Sequence, residues 1–231
     1  MDLITEQRLA RRAAILETAR QMIAEVGYET VTVRDLARRC RVSVPTLYNQ
    51  FGGKDQLLGA AVEEHFLGVL NAAEPDRDGG GFERLQRIVA QCAEQLLALP
   101  AYHQRLLKAF ASLDQTTAVQ LRIAQRLTDV FGKELAAMRS AGRLEELVAT
   151  ELVAEQLTTG CISAAMVWSS GLLPDRHLMT SMRYASGLVL AGIVRGRVAS
   201  VVKSQLKDSQ RELSRVHSDR ASKLKRLGNI S

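Results

Sequence analysis

Residues 32–58 read TVRDLARRCRVSVPTLYNQFGGKDQLL, and this stretch decides the architecture. It spells two short helices joined by a tight turn. Thr32, with Asp35 three positions on, forms a start resembling a capping box, and Leu36 and Ala37 supply an apolar stripe before a turn around Cys40 and Arg41. A second start follows at once. Ser43 can cap, Pro45 sits in the first turn where its missing N–H costs nothing, and Leu47 and Phe51 space an apolar face by four. Gly52-Gly53 then ends a helix too short to be stable without neighbours.

With Val42, Leu47 and Phe51 turned inward, Ser43, Val44, Pro45, Thr46, Tyr48, Asn49 and Gln50 are mostly left outside. Side-chain amides pair bidentately with adenine edges in a major groove, and a compact polar helix is what such a groove admits. Arg34, Arg38, Arg39 and Arg41 precede this surface and Lys54 follows it, as phosphate contacts require. The bland alternative is a solvated helical hairpin with ordinary surface arginines.

From about Arg11 to Leu58 the chain resembles the tetracycline-repressor-like (TetR) family of one-component bacterial transcription regulators. The resemblance rests on Ala14-Ile15-Leu16, Ala19, Gly27, Thr32, Leu36-Ala37, Val42-Ser43, Thr46-Leu47-Tyr48, Phe51, Lys54 and Leu57-Leu58. It implies an all-α protein, with an N-terminal three-helix DNA-binding domain and a larger helical domain that binds an inducing small molecule and forms a homodimer. By resemblance, Thr32, Arg34, Tyr48 and Lys54 hold phosphates, while Ser43, Val44, Pro45, Thr46, Asn49 and Gln50 face base edges of a double-stranded operator. Arg41 stands where the family usually has a turn glycine, and Gly53 where it often has a polar N-cap. A left-handed Arg41 would carry roughly 1 kcal/mol of strain.

Composition agrees with a helical reading. The 231 residues are 46% hydrophobic with only four prolines, enough apolar material for a sizeable core and few helix breakers. No stretch alternates at period two, so no sheet is expected. The charge is uneven: nine basic against six acidic residues in 1–54, 12 against 16 in 55–194, and ten against three in 195–231. A mildly acidic middle suits a ligand-binding and dimerising body better than a DNA-tracking one. The basic C-terminal tail is either a solvated segment or an auxiliary, nonspecific grip on nucleic acid.

Cys40, Cys92 and Cys161 are odd in number and far apart, and His65, His103, His177 and His217 show no metal-ligand spacing, so no metal and no cofactor are expected. Met1 to Glu6 lack the basic cap and apolar core of an export signal. The longest apolar run, near Gly187 to Val194, falls short of the ~18 residues of a membrane span. The expectation is a cytoplasmic protein without a membrane partner.

Periodicity and breakers place helices at about 5–26, 54–73, 82–99, 101–112, 115–141, 144–170 and 177–206, with a loop over 74–81 whose glycines are no phosphate cradle. The expected partition is a helix-turn-helix domain over 1–53, a ligand-binding and dimerisation body over 54–206, and a basic tail over 207–231 that frays over its last ten or so residues. Small residues let helix backbones approach, so Gly160, Ala164, Leu188, Gly192 and Gly196, with Trp168, are the expected dimer interface, or else intrachain packing. Tyr102, His103, Phe110, Met138, Met166 and Trp168 are the expected lining of a pocket for a hydrophobic inducer, or else core. Two other functions stay open: an enzyme built on Cys161 and His103, for which no catalytic signature is present, and a nonspecific architectural nucleic-acid-binding protein driven by the basic tail.

Overall fold

Two side-chain caps define the N-terminal helices. Thr32 Oγ1 accepts the Asp35 N–H at 3.1 Å and starts α2 (Val33–Cys40), and Ser43 Oγ accepts the Thr46 N–H at 3.2 Å and starts α3 (Val44–Phe51). Between them Arg41 is left-handed, φ 54°, and its N–H reaches back to the Arg38 carbonyl while Val42 N–H closes on Ala37. Gly52, φ 91°, ends α3 by donating to Tyr48 O at 2.8 Å. Before these helices comes α1 (Leu3–Val26), and after them follow α4 (Lys54–Ala73), α5 (Phe82–Ala98), α6 (Pro100–Ser112), α7 (Thr117–Ser140), α8 (Thr150–Ser169), α9 (Leu178–Ala191) and α10 (Gly196–Gly228). The structure, a computed structural model, describes residues 3–73, 81–112 and 117–228. Most of the expected 74–81 loop, and the break expected at Asp114, lie outside the described residues.

The protein is all-α among its described residues, and none of its described helices is long and apolar enough to cross a membrane. By contact it divides into two units: residues 1–71 with 99–123, and residues 72–98 with 124–231. The first unit gathers α6 and most of α4 with the first three helices.

In the first unit α1 packs on α2 and α6, and α2 on α3. Ile15, Leu16, Ala19 and Ile23 of α1, Leu36 and Ala37 of α2, Leu47 of α3 and Leu57 and Leu58 of α4 are all buried. Arg105 of α6 donates to the carbonyls of Ala24 and Glu25, satisfying the otherwise orphaned end of α1 with a cation where the helix dipole favours one. Gly27, φ 84°, then turns the chain away.

In the second unit α9 packs against α5, α8 and α10. A Cβ at Gly160 would lie 3.1 Å from Ala185 Cβ, and one at Gly187 2.9 Å from Leu206. Small residues therefore serve close helix packing inside one chain at these two positions. Glu134, buried on α7, accepts the Gly81 N–H at 2.8 Å and lies 3.1 Å from Arg84 Nε, anchoring the start of α5.

Two expected helices are shorter than the apolar pattern predicts. The helix expected over 144–170 starts only at Thr150, and that over 177–206 breaks between α9 and α10. One pairing explains both: Leu144 and Val194 form an isolated antiparallel bridge, with Glu145 N–H donating to Ile193 O at 2.9 Å and Arg195 N–H to Arg143 O at 2.8 Å. Burying the Leu144 and Val194 side chains outweighs helix continuation, and Gly196, φ 63°, reverses the chain into α10. From there α10 runs through Gly228.

The left-handed Arg41 gives a first prediction. Arg41→Gly should relieve the strain for a gain of up to about 1 kcal/mol, a rise of roughly 2–4 °C in Tm by calorimetry. An unchanged or lower Tm would mean that the arginine side chain contributes more than the backbone loses.

Candidate nucleic-acid interface

Helix α3 buries one side chain deeply, Leu47, and offers the rest of its turn outward. Ser43, Pro45, Tyr48 and Asn49 are exposed, Tyr48 by 49%, while Val44, Thr46 and Gln50 are half-buried. Ser43 and Thr46 share a hydroxyl hydrogen bond of 2.7 Å that stiffens the first turn. The expected base-facing residues thus share one short helix with a rigid start.

The expected phosphate residues surround it unevenly. Arg34 is exposed with no partner among the described residues, whereas the Thr32 hydroxyl donates to Asp35 at 2.6 Å as part of the cap. Arg38 pairs with Asp35, and Arg39 with Glu25 at 2.7 Å. Lys54 lies 5.3 Å from the centre of the Tyr28 ring and donates to Glu29 O at 3.1 Å. An ammonium has three protons, so this contact aims Lys54 without exhausting it.

Sequence reasoning missed part of this surface. A groove of about 420 Å³ is lined by Thr46, Asn49 and Gln50 together with Gln7, Arg8 and Arg11 of α1. The available signal was the clustering of Gln7, Arg8 and Arg11 on one side of a helix, where i, i+3 and i, i+4 positions are neighbours. Arg12, one step on, is held instead over the Phe51 ring at 5.7 Å and paired with Glu64 at 2.9 Å.

The six residues expected to line an inducer pocket divide between the two units. Tyr102, His103 and Phe110 lie on α6 in the first, where His65 and Phe66 of α4 meet them in a chain of ring contacts 5.0–6.0 Å between centroids. Met138, Met166 and Trp168 belong to the second, with Met138 and Trp168 fully buried. Burial first, then the neighbouring His103 and Arg20, hold His65 down at about 4, against the pull of Glu17. Burial, then Glu17, pushes the Tyr102 phenol upward.

A depressed histidine means that the unfolded chain binds the proton more readily than the folded one. Stability should therefore fall as pH drops from about 6.5 towards about 4. Melting curves of the wild type and His65→Phe should diverge in slope over that window, the variant being flatter; parallel curves would remove His65 as the cause.

Among the expected dimer residues, Gly160 packs on Ala185, and Ala164 and Trp168 are buried within the chain, with Trp168 Nε1 donating to Asp175 at 2.8 Å. Trp168 has no surface left for a partner. Leu188 is 55% exposed, and Gly192 and Gly196 are also exposed; Leu152 and Val167 of α8 add further exposed apolar surface.

The enzyme reading finds no support in its own residues. Cys161 is buried with Ser186 Oγ 4.0 Å from its sulfur, and burial pushes its thiol up to about 12, far from a nucleophile's range. His103 belongs to the other unit. Among the described residues no three histidine, cysteine or acidic side chains are grouped to hold a metal.

Comparison with known proteins agrees with this geometry. Residues 15–61 match the family model described as "Bacterial regulatory proteins, tetR family". The chain is 28% identical over 128 residues to the HTH-type transcriptional repressor KstR of Rhodococcus jostii, a match covering 55% of this chain and 60% of that protein. Two solved structures share the fold: the regulator TylP of Streptomyces fradiae, at 19% identity, TM-score 0.61, covering 89% of this chain and 98% of that one, and SmeT of Stenotrophomonas maltophilia in complex with triclosan, at 20% identity, TM-score 0.59, covering 82% and 94%.

Proposed function

We propose that this chain, which belongs through residues 15–61 to the tetR family of bacterial regulatory proteins, is a ligand-responsive transcriptional repressor acting in the cytoplasm. A homodimer binds a palindromic operator through two copies of α3, and a small, hydrophobic molecule bound in the helical body releases it. The observation that carries this reading is the outward polar face of α3, with Tyr48 and Asn49 exposed over a sealed Leu47. Exposed Leu152, Val167 and Leu188 on α8 and α9 support self-association, since apolar side chains of this size gain from being covered. The SmeT complex with triclosan supports a small-molecule trigger. DNA and ligand then each favour a different conformation, which is all that allostery requires.

Competition binding at fixed salt tests this. A specific repressor retains a preferred duplex against excess random DNA, whereas an architectural protein loses it in proportion. Lys54 supplies a companion prediction: Lys54→Ala should weaken binding to all duplexes alike and reduce the salt slope by about one. Unchanged affinity and slope would rule out its phosphate role.

A further inference from the structure

The Leu144–Val194 bridge ties the turn before α8 to the turn before α10 and joins the backbones of Arg143 and Arg195, with Arg197 two residues further on. They border a cleft of about 690 Å³ in the second unit, within the size range of small-molecule sites. Arg87 of α5 is a fourth arginine on its rim. Carboxylates offset part of this charge: Glu83, 3.4 Å from Arg143, Glu145, paired with Arg195, and Glu146, which also acts on Arg195. Arg197 is exposed and has no partner among the described residues.

Phe82, Val198 and Val201 give the same cleft an apolar side.

We propose that this cleft binds a small amphiphilic organic anion. Its carboxylate or phosphate is held by Arg143, Arg195 and Arg197, and its body lies along Phe82, Val198 and Val201. Planar guanidinium groups recognise both anions through paired N–H bonds, whereas a cation is repelled and a neutral alcohol gains only the apolar contact. None of the residues expected to line an inducer pocket contributes to this cleft, and its occupancy is measured without DNA, so it stands or falls separately from operator binding.

Isothermal titration of the full chain with octanoate, octyl phosphate, 1-octanol and octylammonium tests the assignment. At least one anion should bind roughly tenfold more tightly than the alcohol or the ammonium, and added NaCl should weaken it. Which anion binds more tightly identifies the head group. Arg143→Met/Arg197→Met should erase the margin. Should the double variant fail to fold, Arg197→Glu, altering one exposed side chain, decides: a loss of about tenfold supports the site. An alcohol bound as tightly as the anions, no saturable heat with either anion, or unchanged binding in Arg197→Glu would overturn it.

Discussion

Asn49→Ala/Gln50→Ala is expected to remove sequence preference while leaving the protein folded. Asn49 is exposed and Gln50 half-buried, and neither takes part in the caps or in the seal at Leu47, so circular dichroism and Tm should change little. A bidentate amide-to-adenine pair is worth roughly 1–3 kcal/mol of discrimination, so each residue contributes about 5- to 150-fold. Because α3 carries no Arg or Lys of its own, little remains to read base edges once the amides are gone. Residual binding should then be weak, salt-sensitive and alike for all duplexes, held by Arg8, Arg11, Arg34 and Lys54. Mobility-shift titrations with a preferred and a scrambled duplex read this directly, and a retained preference would move the reading surface off α3.

Trp168→Ala should cost about 3–5 kcal/mol, a large share of the roughly 5–15 kcal/mol that holds a domain together. Trp168 is the only tryptophan, is completely buried on α8, and spends its indole N–H on Asp175. Truncation removes the ring, leaves a cavity and withdraws a hydrogen bond from a carboxylate. Trp168→Phe should recover part of the loss. Urea unfolding followed by circular dichroism measures both, since the variants lack the fluorophore. A loss below about 1 kcal/mol for the alanine variant would mean that the surrounding helices collapse onto the gap.

Much of the N-terminal architecture was legible because it is written in local chemistry. Thr32 and Ser43 cap where their spacing predicts, and Gly52 ends α3. Arg41 takes the left-handed conformation that its place in the turn demands. Such signals depend on a few adjacent residues, so an isolated reading of the chain captures them. The Leu144–Val194 bridge was not legible, because a buried apolar pair across 50 residues looks, from either segment alone, like a helix continuing. The groove that joins Arg8 and Arg11 to Asn49 and Gln50 likewise exists only once α1 and α3 are folded together. Trp168 shows the limit of composition: small neighbours suggested an interface, yet its whole ring is taken up inside the chain.

The proposed function requires that α3 read DNA sequence from its outward face. Selection from a random duplex pool by the full chain, run beside the same selection by Asn49→Ala/Gln50→Ala, tests it most directly. The wild type should enrich one inverted-repeat duplex, with half-sites about one helical turn apart, and the variant should enrich none. The same duplex enriched by both chains, or no duplex enriched by the wild type, would contradict it.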